Sequence, residues 1–424
     1  MEEAAKAMPL ITNDAVVLGI LIAILAFVFK TSHSEGRFWK KFYSIVPALL
    51  MCYFLPSVVA TLGIIDGDVS KLYFVASRYL LPTSLVLLTL SIDLPGVMRL
   101  GPKAVIMFLT GTAGIMIGGP LALLLFSFVA PDVVGGVGPE AVWRGMTTVA
   151  GSWIGGGANQ AAMKEMWGVG DQIFSAMIAV DVIVANVWMA FLLFFAANNR
   201  RIDQWTGADT SAIEHIRHKA EAYEAEVRRI PTLTDTMMLL AIGFGATALG
   251  HVGADLITPW MSQLANIHPW IEQISLTSSF FWIVVIATGV GLAVSFTRAR
   301  ELEGVGASRV GSVLLYVLIA TIGMKMNILA IFKNPGLFLV GATWMVIHAG
   351  LMLLVAYLIK APVFFMAVGS QANVGGAASA PVVASAFHPG LAPVGVLLAV
   401  VGYFLGTYCA WLTGIVLQLV AGGG

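Results

Sequence analysis

The sequence predicts an all-α, polytopic membrane protein with about twelve transmembrane segments in two repeats. Three observations predict it. Of 424 residues, 58% are hydrophobic and only 11% charged, where soluble domains carry roughly a quarter charged residues. Largely apolar runs of about 18 residues or more, long enough to cross a hydrocarbon core of about 30 Å, recur along the whole chain. They lack the ten-residue alternation of a barrel, and lipid tolerates only helices or closed barrels because every backbone group must be satisfied internally.

In chain order the first-half runs cover residues 10–29, 42–65, 72–92, 104–130, 141–166 and 172–197. The second-half runs cover 233–257, 276–296, 309–329, 336–359, 363–387 and 391–420. Residues 1–8 lack a basic leader and a small-residue cleavage site, so the first helix is expected to stay in the mature chain. Between the halves, residues 198–232 hold 12 of the 46 charged residues. Glu214 with His218, and Arg217 with Glu221, sit at helical i,i+4 spacing, which predicts a solvated or interfacial linker helix. The expected organisation is therefore a first repeat over 1–197, a charged linker over 198–232 and a second repeat over 233–424.

Each half holds four apolar segments, then one rich in glycine and amides, then a long final one. The glycine-rich stretches begin at Gly151 and Gly369, an offset of 218 residues. Paired, interrupted segments at matching places point to a secondary transporter with its site at the repeat interface. Lys30, Arg37, Lys40, Lys41, Arg99, Lys103, Arg298, Arg300 and Arg309 favour an inside location for their loops and make the halves inverted. Six crossings per half would instead make them parallel. One segment then fails to span, or a crossing lies elsewhere.

The stretch 151–160, GSWIGGGANQ, has four glycines in its first seven residues, each costing up to about 1 kcal/mol in a helix relative to alanine. A break at mid-membrane is expected, and at that depth it must face protein or a water-filled cavity. Freed carbonyls and the side chains of Asn159 and Gln160 offer oxygens to a cation such as Na⁺. The half-helix that resumes points positive partial charge at an anion, and Ser152 can join either role. The matching stretch 369–381, GSQANVGGAASAP, supplies Ser370, Gln371, Asn373 and Ser379. Gly375 and Gly376 give it freedom, and Pro381 suits the turn that resumes the helix. Gly155, Gly156 and Gly157 play the corresponding part in the first stretch, so the two breaks are expected to face each other. The structural alternative is that these glycines only let helices pack closely, the role read for Gly111, Gly114 and Gly118.

Asp181 lies in the apolar run of the sixth segment, where an acid is costly without a partner or a polar cavity. It is a candidate cation ligand or proton carrier, with Asn186 a neighbour about one and a half turns on; the alternative is a structural acid bonded to a neighbouring helix. The Na⁺ ligands expected from the residues are Asn159, Asp181 and Asn373. Arg78, Asp93 and Lys325 read as interfacial groups, and His348 as a packed histidine.

Absences exclude other classes. Equal numbers of basic and acidic residues, 23 each, offer nucleic acid no basic surface. Cys52 and Cys409 are far apart in apolar runs and form neither a disulfide framework nor a metal cluster. No nucleotide-binding, metallohydrolase or serine-hydrolase motif occurs, so no enzyme activity and no cofactor beyond Na⁺ as coupling ion are expected.

The runs TTVAGSWIGGGAN (147–159), SQANVGGAASAP (370–381), SRYLLPTSL (77–85) and GSVLLYVLIATIGMK (311–325) resemble the bacterial membrane family known as domain of unknown function 819. That family is similar to sodium/bile-acid, glutamate/sodium and 2-hydroxycarboxylate symporters. The resemblance implies a crossed pair of broken helices, 151–160 and 369–381, in a mobile domain that moves against a dimerising panel. It supplies no substrate.

The expectation is a multi-pass protein of the bacterial cell membrane that couples Na⁺, rather than H⁺, to symport of a small organic anion by an elevator movement. The partners expected are that solute, the lipid bilayer and a second copy of the chain. Cation/proton antiport and a non-transporting receptor or subunit are the alternatives.

Overall fold

The computed structural model describes residues 9–43, 46, 48–90, 92, 97–98, 100–208, 213, 230–273, 276–325, 334–388 and 391–422. All regular structure among these residues is helical. Seven single helices are long and apolar enough to cross a membrane, rising to nine if two bent pairs each count as one span. Three of the twelve expected segments fall outside that count for local reasons. The fifth is diluted by its glycines and by Asn159 and Gln160, the ninth is only 17 residues long, and the eleventh is split into two helices of 12. The charge pairs expected in the linker, and Asp93, lie outside the described residues.

The helices of the first half are α1 (Asp14–Ser32), α2 (Arg37–Tyr43), α3 (Ala48–Thr61), α4 (Leu72–Leu90), α5 (Pro102–Val129), α6 (Val142–Met166) and α7 (Asp171–Ala197). A short amphipathic helix, α8 (Asn199–Thr206), opens the linker. The second half has α9 (Leu233–Ile267), α10 (Ser279–Ser295), α11 (Ala307–Gly323), α12 (Gly336–Leu358), α13 (Val363–Val374), α14 (Gly376–Phe387) and α15 (Ala392–Val420). Several boundaries differ from the sequence reading. The second segment, expected over 42–65, is helical as α3, with α2 lying mostly ahead of it, and the seventh runs on to Ile267, its start fixed by a capping box between Thr232 and Asp235. At 35 residues, α9 is about 50 Å long and exceeds the bilayer core.

The helices sort into two bundles. One joins α1, α3, α4, α9, α10 and α11; the other joins α5, α6, α7 and α12 to α15. Each bundle thus takes the first three or the last three segments of both halves, so the two sequence halves interleave in space. Helices touch across the boundary where α6 and α15 meet α4 and α10, and where α7 meets α3.

Glycine sets the closest approaches in the second bundle. Gly114, Gly118 and Gly119 of α5 leave no room for a methyl group because His348 and Trp344 of α12 press against them. Trp344 donates from Nε1 to the Ile115 carbonyl at 2.9 Å. The packing role read for Gly114 and Gly118 thus holds, and His348 is fully buried at this contact.

Candidate functional site

Helix α6 breaks at Gly156, whose φ of 75° and ψ of −175° belong to a region that only glycine enters cheaply. The second break falls between α13 and α14, at Gly375 and at Gly376 with φ 58°. The two breaks meet. A Cβ built on Gly376 would lie 4.0 Å from the Gly156 Cα. Helix α15 passes both, since a Cβ on its Gly402 would come 2.6 Å from the Ile154 carbonyl and 3.7 Å from the Ala372 carbonyl. Two half-helix N-termini and two C-termini therefore converge inside the second bundle, bringing helix-end N–H and C=O groups side by side.

Asp181 of α7 braces the first break. Its Oδ2 accepts from Ser152 Oγ at 2.7 Å and Gln160 Nε2 at 2.9 Å, and its Oδ1 accepts from Trp153 Nε1 at 2.7 Å. Ser152 and Trp153 precede Gly156 and Gln160 follows it, so one carboxylate ties together both halves of α6. Tyr53 of α3, in the other bundle, faces Gln160 Oε1 at 3.5 Å.

The two asparagines sit in matching brackets. Asn159 donates to the Gly155 and Tyr403 carbonyls at 3.0 and 2.9 Å, and accepts from Thr407 Oγ1 at 2.7 Å. Asn373 donates to the Gly369 and Phe108 carbonyls, both at 2.9 Å, and accepts from Thr112 Oγ1 at 2.7 Å. Each asparagine thus bonds the carbonyl four residues back and one glycine–threonine face of a neighbouring helix, α15 for Asn159 and α5 for Asn373. Gly406 and Gly111 make room for the amides. In this conformation the three expected Na⁺ ligands Asn159, Asp181 and Asn373 share no hydrogen-bond partner, and each oxygen already accepts a protein donor.

Gln371 is different. Its Nε2 donates to Ser379 Oγ across the second break at 2.7 Å, while its buried Oε1 has no hydrogen-bond partner among the described residues. A buried acceptor without a donor costs about 1–3 kcal/mol unless a cation or a ligand N–H completes it. Ser370 accepts from Trp188 Nε1 at 2.8 Å and bonds His348 Nε2 at 2.8 Å, which fixes α13 against α7 and α12. Asn186 donates to the Val182 carbonyl of its own helix at 2.7 Å and takes no part in the crossing. Gly157 faces open space apart from Leu315 Cδ2 at 4.0 Å. Among the described residues no group of three or more His, Cys, Asp or Glu side chains could hold a metal ion. Any cation here would be met by amide, hydroxyl and carbonyl oxygens, which suit a hard ion.

The sequence reading missed Trp153, Trp188, Thr112 and Thr407. A signal for the threonines exists, since Phe108-Leu-Thr-Gly-Thr112 and Tyr403-Phe-Leu-Gly-Thr407 share an aromatic residue followed three and four positions on by glycine and threonine. Thr112→Val and Thr407→Val should each cost about 1–2 kcal/mol by stranding an asparagine oxygen. Melting of the two variants in detergent checks this, and markedly unequal losses would refute the equivalence of the brackets.

A protein described as uncharacterized membrane protein YjcL, from Bacillus subtilis (strain 168), is 24% identical over 410 residues, covering 95% of this chain and 97% of its own length. The model of the family described as protein of unknown function (DUF819) matches residues 19–420 and so spans both breaks, both brackets and both bundles. With two helix breaks that meet inside a polytopic helical frame and a family match over nearly its whole length, the chain belongs to the DUF819 family.

Proposed function

We propose that this membrane protein is a secondary active transporter that couples Na⁺, rather than H⁺, to symport of a small organic anion. The bundle of α5–α7 and α12–α15 carries the crossing, and the bundle of α1, α3, α4 and α9–α11 is the panel it moves against. The observation that carries the reading is the meeting of two helix breaks beside Gln371 Oε1, which has no hydrogen-bond partner among the described residues. Carbonyls at the C-terminus of α13, with Gln371 and Ser379, present oxygens to the cation, and the Asp181 carboxylate that braces the first break supplies the negative charge that balances it. The N-termini that resume after Gly156 and at Gly376 present N–H groups to the anion. Dimerisation through the panel and residence in the bacterial cell membrane belong to the same proposal.

The purified protein, melted in Na⁺ and in K⁺ at fixed pH and ionic strength with a series of small carboxylates, tests it. A ligand that binds only the folded state raises the melting temperature by mass action. The expected result is a Na⁺-specific rise that deepens with one carboxylate, and counterflow of that carboxylate when labelled in liposomes. Equal melting in both salts together with no counterflow would overturn the proposal.

A further inference from the structure

A second cluster of polar side chains lies apart from the crossing, at the boundary between the bundles. Arg78 and Tyr73 come from α4, and Lys325 follows the C-terminus of α11, all in the first bundle. Lys164 and Glu165 end α6, and Asp171 begins α7, in the second. Arg78 Nη2 lies 3.2 Å from Glu165 Oε2, and Lys164 Nζ 2.9 Å from Asp171 Oδ1. Lys325 Nζ stands between Asp68 Oδ1 at 3.7 Å and Asp171 Oδ2 at 3.9 Å. Tyr73 is the hub. Its hydroxyl donates to Glu165 and accepts from Lys164 Nζ at 3.3 Å, and its ring receives Lys164 and Lys325 ammonium groups at 5.1 and 5.0 Å from the centroid.

Two features set this cluster apart from an ordinary surface network. The side chains of Lys164 and Glu165 are only 7% and 13% exposed, so their charges depend on these partners and not on water. Arg78 also sits in a π turn, Ala76–Leu80, inside α4. Such a widened turn inside an α-helix is frequent at functional sites. Three cations, Arg78, Lys164 and Lys325, meet three carboxylates, Asp68, Glu165 and Asp171, so the charges balance when the bundles stand in this register. A shift of one helical turn, about 5.4 Å, would part the pairs that cross the boundary and leave their buried charges without these partners.

We propose that the ion pairs gathered round Tyr73 are a register key that holds the two bundles in the position seen here and must open before they slide. Its place in transport rests on the elevator reading above, but its action on the bundle boundary does not. Hydrogen–deuterium exchange of the ligand-free protein tests it with Arg78→Gln, Glu165→Gln, Tyr73→Phe and the exchanged pair Arg78→Glu/Glu165→Arg. Each single variant should raise exchange in 76–80 and 318–325 by about three- to tenfold. The exchanged pair should return it to within about twofold of the parent. Helix α12, which lies wholly in the second bundle, should not change.

Exchange that stays at the parent level in the singles, or rises equally in α12, overturns the key. An exchanged pair no better than the singles does the same. Should the charge variants fail to fold, Tyr73→Phe, which removes one hydroxyl, carries the same readout. An intact key in a protein without Na⁺ response or counterflow defeats the transport reading alone, and unchanged exchange defeats the key alone.

Discussion

Asp181→Ala is expected to lower the stability of the protein by at least about 3 kcal/mol, whereas Asp181→Asn keeps the fold and loses Na⁺-dependent uptake. The difference follows from the donors around the carboxylate. Alanine leaves Ser152, Trp153 and Gln160 without their shared acceptor at a buried position, and each stranded polar group costs about 1–3 kcal/mol. Asparagine can turn its oxygen to Trp153, whose indole N–H only donates, while the Ser152 hydroxyl rotates to accept and the Gln160 amide turns over. The charge is then lost and the brace kept. Melting curves in detergent separate the two variants, and Na⁺-driven uptake into liposomes by the asparagine form tests the role of charge. Full uptake by that variant would remove Asp181 from the coupling mechanism and leave it as a brace.

Gly156→Ala is expected to abolish the Na⁺ response while Gly157→Ala, one residue on, keeps it. Gly156 holds φ 75° and ψ −175°, a conformation costing an L-residue about 1–3 kcal/mol. Alanine relieves that cost by straightening α6, which removes the exposed backbone groups at the crossing. Gly157 has helical φ and room for a methyl, and there alanine favours the helix. The response is read as the difference in melting temperature between Na⁺ and K⁺. An undiminished difference in Gly156→Ala would show that the break contributes nothing to cation binding. Gly155→Ala belongs to a third class, because its Cβ would stand 2.6 Å from the Gly402 carbonyl and 2.8 Å from the Gly406 Cα. Poor folding is expected there, with no information about binding.

Much of this was legible in order along the chain. Hydropathy placed the helices, because lipid demands long apolar runs whatever their neighbours. Clustered glycines, four in seven residues at 151–157 and a Gly-Gly pair at 375–376, placed both breaks, because a helix absorbs such residues only at a cost. Asp181 stood out because an acid in an apolar run needs partners, though a linear sequence does not say which. Ser152, Trp153 and Gln160 became its donors only when α7 packed on α6. Asn159 and Asn373 read alike as ligands. Their brackets to Thr407 and Thr112 cross 248 and 261 residues of chain, a separation at which no local periodicity operates.

The sequence by itself determined the helical class, the two interrupted segments and the family, since these depend on local composition and on the energetics of backbone in lipid. Only the tertiary structure decided that the halves interleave into two bundles, that the breaks meet at Gly156 and Gly376, and that Gln371 keeps an acceptor without a partner among the described residues. It also turned Arg78 and Lys325, which read as interfacial groups, into members of a charged cluster with Glu165, Lys164 and Asp171. The physical reason is the same in each case: burial and pairing of a polar group depend on which distant helix lies against it, and packing alone sets that.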